Sequence, residues 1–357
     1  MALNKGEWSE VYTFLKLLAE GRLYAADADL NRISSIYYPI LKVLREEPDG
    51  DLAFSRNSQI EIINSEGNIL LQLPIDEFKE KSVKLLEEIQ NASSRSFEVP
   101  EILQFMNSIN ITKLKANSND KRDITLVVYD TFTGHKPMLG FSIKSRLGGA
   151  STLMNASGAT NFVYKLSGLL DEDTVSRINS IDTRSKIRDR ITQIEASGVN
   201  LEYYKLDNAN FNRNLTMIDS LFPLIASEIL KYFFKGEGTK ITDLVDKLKA
   251  VNPCDYDLSN NHPFYEYRIK NFLTDCALGM TPTSTWTGEY DATGGYIVVK
   301  EDGDIVCYHI YNRNEFQEYL YKNTKLETPS SGKHGFGVIY EEDGSQYFKL
   351  NLQVRFI

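Results

Sequence analysis

Apolar residues recur along the start of the chain with the period of an α-helix. They form one stripe, consisting of Val11, Phe14, Leu15 and Leu18. Gly21 follows as a stop signal, so the pattern predicts a helix over residues 7–19. The same periodicity predicts further helices at 29–45, 75–91, 100–109, 184–197, 209–235, 240–250 and 263–279.

Short runs rich in β-branched and aromatic residues predict strands between and after these helices. The runs are 60–63, 69–73, 201–205, 295–300, 304–310, 335–340 and 346–356. Ser65-Glu-Gly67 joins the first two into a hairpin, and Asp343-Gly344 joins the last two. A helix over 29–45 followed by the first hairpin is typical of a winged helix-turn-helix or of a small α+β insertion.

The most informative pattern is the segment from Asp123 to Ser145, which predicts two strands joined by a turn at Thr133-Gly134. Antiparallel pairing about that turn places position 123 opposite Lys144. A carboxylate that holds a cation beside an ammonium group is the arrangement of a metal-dependent phosphodiesterase. The alternative is a surface hairpin whose terminal Asp and Lys form an exposed ion pair. Asp130 lies ~23 Å along the strand from position 123, so we expect it not to share a metal site with Lys144.

Length and composition predict an ordinary globular protein. The 357 residues suit two domains or one enlarged domain, and the 42% of apolar residues predicts a sizeable core. No apolar run reaches membrane-spanning length, and no cationic and apolar leader opens the chain. Cys254, Cys276 and Cys307 stand far apart, as free thiols do. We therefore expect a cytoplasmic protein.

The formal net charge of -9 argues against indiscriminate binding of polyanions, but basic residues cluster locally. One cluster precedes the Asp123 strand and consists of Lys113, Lys115, Lys121 and Arg122. Another lies in the predicted helix 184–197 and consists of Arg184, Lys186, Arg188 and Arg190. Contact with nucleic-acid phosphates and a solvated helix face both explain the second cluster.

Two further stretches are candidates for contact with DNA. Residues 147–162 are dense in small polar side chains, including Asn155 and Asn161. They suit close approach to phosphates or base edges, although a flexible surface loop has the same composition. Ser145 and Arg146 join this stretch directly to the Lys144 strand, which favours a functional role. Lys333 and His334 lie in a glycine-rich stretch that opens a strand. A phosphate cradle is not expected there, and contact of these two side chains with DNA is one alternative beside a purely structural role.

The candidate metal site needs a second carboxylate. Strand-borne nuclease sites carry an Asp or Glu two residues before the lysine, and here that position is Ser142. The segment before the first apolar stripe supplies Glu7 and Glu10. Helical phase favours Glu7 slightly. A buried carboxylate there needs a partner, which a cation or a salt bridge provides.

Several motifs, taken in order, resemble the HpaII-type restriction endonucleases. They are Lys5-Gly-Glu-Trp-Ser-Glu10, Phe141-Ser-Ile-Lys-Ser145 with its Thr-Leu-Met-Asn-Ala-Ser sequel, and Leu350-Asn-Leu-Gln-Val-Arg-Phe356. The resemblance implies a PD-(D/E)xK nuclease that uses Mg²⁺ to hydrolyse double-stranded DNA at the palindrome CCGG. Asp123 matches the strand acid and Lys144 the motif lysine, whereas Ser142 departs from the pattern. The Lys/Arg-Gly-x-x-x-Glu pattern of related nucleases selects Glu10.

We therefore predict an α+β fold with a mixed β-sheet nuclease core flanked by helices. Residues 1–22 are expected to supply the catalytic helix, 23–110 a helical or winged insertion, 111–215 the core, and 216–357 a DNA-recognition region. A palindromic site suggests a two-fold homodimer, although a monomer of this size also suffices. A cognate DNA methyltransferase is implied as a functional counterpart. A winged-helix regulator and a nuclease acting on RNA or branched DNA are the competing hypotheses.

Overall fold

The computed structural model describes residues 2–114, 121–131 and 133–357, which leaves Lys115 outside the described residues. The helices are α1 (Lys5–Glu20), α2 (Ile75–Asn91), α3 (Pro100–Ser108), α4 (Glu172–Asn179), α5 (Lys186–Ala196), α6 (Ala209–Ile218), α7 (Phe222–Lys235), α8 (Ile241–Val251), α9 (Phe264–Leu278), α10 (Arg313–Lys322) and α11 (Ser331–His334). Short 3-10 helices span Gly158–Thr160 and Ile310–Asn312.

The strands are shorter and more numerous. They are β1 (Leu3–Asn4), β2 (Arg22–Ala26), β3 (Arg32–Arg45), β4 (Leu52–Arg56), β5 (Ile60–Asn64), β6 (Ile69–Leu73), β7 (Ser96–Phe97), β8 (Ile124–Val128), β9 (Met138–Ser145), β10 (Thr152–Met154), β11 (Asn161–Leu166), β12 (Leu201–Leu206), β13 (Gly295–Val299), β14 (Ile305–His309), β15 (Thr324–Leu326), β16 (Ile339–Glu342), β17 (Ser345–Asn351) and β18 (Val354–Phe356). Helices and strands thus share the chain, as predicted. Among the described helices, none combines the length and the apolar character needed to span a membrane.

The chain forms two compact units. The first contains Met1–Ser151, Ala277–Gly279 and Glu289–Tyr319. The second contains Thr152–Cys276, Met280–Gly288 and Leu320–Ile357. Each unit therefore combines segments that are distant in the sequence.

A nine-stranded sheet organises the first unit, in the order β2-β14-β13-β9-β8-β3-β4-β5-β6. Because β3 also pairs with β2, the first six of these strands form a closed ring. Strand β13 runs parallel to β9 and β14 parallel to β2, whereas the other neighbours are antiparallel. The sheet is therefore mixed, in agreement with the prediction.

Helix α1 covers the sheet of the first unit and confirms the predicted helix over 7–19. Asn4 caps its start by accepting a hydrogen bond from the Glu7 N–H, and Gly21 ends it in the left-handed conformation with φ 69°. The predicted apolar stripe is buried in one cluster with Phe141 and Ile143 of β9. The predicted helices over 75–91 and 100–109 are confirmed as α2 and α3.

The predicted helix over 29–45 was wrong, since this segment is the long strand β3. It is rich in isoleucine and tyrosine, which favour strands, and Pro39 cannot donate the hydrogen bond that a helix interior requires. The predicted hairpin that follows it is confirmed as β5 and β6, paired antiparallel at the edge of the sheet. The segment before that hairpin thus lacks the helix that a winged helix-turn-helix would place there.

The central hairpin is confirmed as β8 and β9, but its predicted register was wrong by two residues. Ile124 pairs with Phe141 and Val127 with Met138, which places Asp123 opposite Ser142 instead of Lys144. The backbone pairing continues beyond the two strands, because the Asp130 N–H donates to the His135 carbonyl at 2.9 Å, so the turn begins directly after Asp130 and is centred earlier than Thr133-Gly134. A shift of two residues keeps every side chain on its predicted face. Asp123 and Lys144 therefore still lie on one face at one end of the hairpin.

In the second unit, the four-stranded sheet β12-β11-β17-β16 and the three-stranded sheet β10-β18-β15 lie among helices. The predicted strand over 201–205 and the hairpin across Asp343-Gly344 are confirmed as β12 and as the β16–β17 pair. The predicted helix over 209–235 is two helices, α6 and α7. Asp219 ends the first in an extended conformation, and Pro223 lies in the first turn of the second.

Candidate active site

Asp123 is fixed at the start of β8 by hydrogen bonds to the neighbouring strand. Its N–H donates to the Phe141 carbonyl at 2.8 Å. Its Oδ2 accepts two further bonds, from the Ile143 N–H at 2.6 Å and from the Ser142 hydroxyl at 3.1 Å. These bonds orient the carboxylate. Ser142 therefore positions Asp123 as a hydrogen-bond donor and does not supply a second carboxylate.

Lys144 lies two residues after Ser142 on β9 and therefore on the same face of the sheet. Its Nζ sits 5.6 Å from the centre of the Tyr296 ring, which belongs to the adjacent parallel strand β13. Tyr296 is buried and lies opposite Ser142 in the register. The aromatic face attracts the ammonium and restricts where it can move.

Glu10 completes the group from the first turns of α1. Burial, and after it the negative charge of Asp123, raises the pKa of Glu10 from 4.5 to about 8, against the opposing effect of Lys144. Glu10 therefore lies within electrostatic range of both groups. The structure thus brings together the two carboxylates and the lysine that the sequence singled out.

Glu7 has a different environment. Its carboxylate accepts a hydrogen bond from the Asn4 N–H at 2.8 Å, while the Asn4 side chain accepts one from the Glu7 N–H at 3.1 Å. This is a capping box, which stabilises the start of α1. The structure therefore gives Glu7 a role in the helix terminus and places Glu10 on the same cleft as Asp123.

A short polar contact joins α1 to the end of β9. The Ser9 hydroxyl donates to Ser145 Oγ at 2.7 Å, and Ser145 Oγ accepts the Leu147 N–H at 3.1 Å. This contact fixes the residue before Glu10 against the residue after Lys144. The Ser145 hydroxyl is thus used inside the protein, while Arg146 beside it is half-buried and donates its N–H to the Val299 carbonyl at 2.9 Å.

A cleft of about 510 Å³ opens beside Glu10 and Asp123. Its apolar lining includes Phe14, Leu52 and Ile124, while polar and charged residues from several strands also line it. Among these are Arg45, Glu46, Asp51, Lys113, Arg122 and Thr125. The carboxylate pair is therefore open to a substrate from this side.

The donor set suits a hard divalent cation. No group of three or more His, Cys, Asp and Glu side chains placed to hold a metal exists among the residues described here. Magnesium, however, is usually held by one or two protein carboxylates, with water and substrate phosphates as its other ligands. Glu10 and Asp123 provide that number. A cation between them would also offset the repulsion that helps to raise the pKa of Glu10.

The remaining predicted DNA contacts lie in the second unit. Asn155, Arg184 and Lys333 are exposed, and Lys186 is half-buried and pairs with Asp182 at 2.9 Å. Asn161 is buried and its side chain donates to the His334 carbonyl at 2.9 Å. It therefore has the environment of a structural residue that holds α11, whereas the exposed basic side chains could contact phosphates.

Two residues of the site were not singled out from the sequence. Tyr296 lies about 150 residues after Lys144 in the chain, and no local pattern connects the two. Arg122 was visible as one of several basic residues before Asp123, without a specific role. Its position on the cleft depends on the register of β8 and β9, which the sequence did not reveal.

Comparison with known proteins gives one consistent result. The family model described as HpaII restriction endonuclease matches residues 4–356. The type II restriction enzyme HpaII of Haemophilus parainfluenzae is 46% identical to the chain over 356 residues, which cover 99% of this chain and 98% of that relative. No solved structure shows a significant match to the chain.

Proposed function

The chain belongs to the HpaII restriction endonuclease family and is a site-specific deoxyribonuclease, and from this premise we propose how its residues cut DNA. We propose that Glu10 and Asp123 hold a magnesium ion and that Lys144 stabilises charge on the attacked phosphate. The observation that carries the proposal is that Glu10 and Asp123 line one cleft and that the charges of Asp123 and Lys144 both act on Glu10. We further propose that the group belongs to a PD-(D/E)xK core in which a helix glutamate replaces the strand acid.

Each protein group has a separate task in this proposal. The Ile143 N–H and the Ser142 hydroxyl donate to Asp123 Oδ2 and so fix the orientation of the whole carboxylate. The other oxygen, Oδ1, is thereby held in place as the proposed metal ligand. Glu10 supplies a carboxylate whose proton must leave before it binds a cation. When bound, magnesium supplies positive charge against the charge that develops on the phosphate. The ammonium group of Lys144, which is restrained over the Tyr296 ring, stabilises negative charge on the same phosphate.

The proposed substrate is double-stranded DNA containing CCGG, the site implied by the resemblance. The exposed Asn155, Arg184 and Lys333, together with Lys186 and His334, are proposed to contact it through the second unit. A two-fold homodimer matches a palindrome. Action in the cytoplasm alongside a cognate methyltransferase is part of the same proposal.

The test is cleavage by the purified protein of a plasmid and of short duplexes that carry CCGG or a scrambled site. We expect discrete fragments in magnesium, cut at CCGG, and none in the presence of a chelator. Cutting at another sequence would overturn the proposed site. Cutting in the chelator would overturn the proposed cofactor, and action on RNA or branched DNA alone would overturn the proposed substrate.

A further inference from the structure

Arg122 lies immediately before Asp123 and lines the same cleft as Asp123 and Glu10. On the basis of the proposed function, we infer that Arg122 binds a phosphate of the DNA backbone, and that this phosphate is adjacent to the phosphate that is attacked. An arginine guanidinium presents donors in a rigid fork that matches two phosphate oxygens. Its position in sequence and on the cleft places this fork beside the carboxylate pair.

The side chain of Arg122 packs against the backbone at a glycine. Gly140 lies on β9 opposite Thr125 in the register, two residues before Ser142, and a Cβ built on it would overlap Cδ of Arg122. The aliphatic stem of Arg122 therefore crosses the backbone of β9 where only a glycine leaves room. This packing directs the guanidinium while leaving the side chain 36% exposed.

The ion pair between Arg122 and Glu46 can be exchanged at low cost. Arg122 and Glu46 are 3.7 Å apart, and the Glu46 side chain is 66% exposed. Exposed pairs of this kind contribute little to stability, so a phosphate can replace the carboxylate. Arg45 on the same cleft is held differently, because it donates to Glu47 at 3.2 Å and to the Lys113 carbonyl. Arg45 thus braces the protein, whereas the exposed carboxylate of Glu46 beside Arg122 can give way to a phosphate.

The experiment measures affinity for a labelled CCGG duplex in calcium over a range of salt concentrations. Arg122→Ala should weaken binding about tenfold and reduce the slope of log affinity against log salt by about 0.9, the value of one phosphate contact. Gly140→Ala should weaken binding in the same direction without removing a charge, because it displaces the Arg122 stem. Arg95→Ala, which removes an exposed charge from the same unit, is the control and should change neither quantity.

A second arm tests the exchange of partners. Glu46→Gln should tighten binding severalfold, and this gain should disappear in the double variant with Arg122→Ala. Asp51→Asn, a neutralised acid on the same cleft, should give a smaller gain that survives in the double variant. Thermal melts confirm that each variant folds.

The outcomes separate this inference from the proposed function. If the wild-type protein cuts CCGG but Arg122→Ala binds like Arg95→Ala with an unchanged slope, the role of Arg122 is overturned and the nuclease is not. If the wild-type protein cuts no DNA, the proposed function fails and the inference fails with it. If Glu46→Gln tightens binding equally without Arg122, the exchange is overturned.

Discussion

Glu10 should destabilise the metal-free protein, and its replacement by glutamine should make the fold more stable while removing activity. Burial and the charge of Asp123 raise the pKa of Glu10 from 4.5 to about 8. The unfolded chain therefore releases the Glu10 proton above pH 4.5, whereas the folded chain keeps it until about pH 8. Stability is lost as the pH rises through this window, because the folded state binds more protons.

The size of the effect follows from the shift in pKa. One pKa unit corresponds to about 1.4 kcal/mol, so the penalty is on the order of 3 kcal/mol at pH 7 and on the order of 4 kcal/mol at pH 8, where the folded-state carboxyl is half ionised. Glu10→Gln keeps the shape of the side chain and cannot ionise. The variant should gain most of this free energy of unfolding at pH 8 and almost none near pH 4.5.

Urea unfolding in a chelator at pH 5 and at pH 8 measures the difference, and a plasmid assay in magnesium measures activity. Glu7→Gln is the matched control on the same helix. It weakens the capping box with Asn4, so we expect a small loss of stability and retained cleavage. Equal stability of Glu10→Gln and the wild-type protein at both pH values would refute the reasoning.

Three further predictions concern the first unit. Asp123→Asn should abolish cutting and leave CCGG binding measurable in calcium, and cutting by this variant would rule out Asp123 as a metal ligand. Asp130→Asn should have a far smaller effect on cutting, because the Asp130 carboxylate accepts a hydrogen bond from the Thr133 hydroxyl at 2.7 Å. Lys144→Ala should slow single-turnover cleavage ~10²–10³-fold and change affinity less than about tenfold, and the reverse pattern would make it a plain DNA anchor. Burial lowers the pKa of His309 from 6.5 to about 4, so the folded protein resists protonation there. The free energy of unfolding of the wild-type protein should therefore fall by up to about 3 kcal/mol relative to His309→Phe as the pH falls from 6.5 to 4. An equal pH dependence of urea unfolding for the two proteins would contradict this.

The local parts of the site could be predicted from the sequence. Neighbouring residues determine the helical period of α1 and its end at Gly21. They also determine the apolar strands on either side of residues 129–137. Motif resemblance then selected Glu10, and the structure places Glu10 on the same cleft as Asp123. Such features depend on contacts within a few turns or a few strand residues.

The rest depends on long-range pairing. The register of β8 and β9 depends on where the turn between them closes, and both strands also pair with other neighbours in the sheet. The strand character of residues 32–45 comes from pairing with three other strands, which outweighs the helical period of its apolar residues. The hydrogen bond from Ser142 to Asp123 and the ring of Tyr296 beneath Lys144 become visible only once these registers are known.

The placement of β13 has a consequence for the order in which the protein is made. This strand is the parallel partner of the Lys144 strand, yet it begins at residue 295, after most of the second unit has been synthesised. A ribosome that stalls before residue 295 releases a chain that contains Glu10, Asp123 and Lys144 but lacks Tyr296 and a neighbour for β9. A chain assembled in this order acquires both sheet neighbours of β9, and with them the surroundings of Lys144, only after residue 295 has been added.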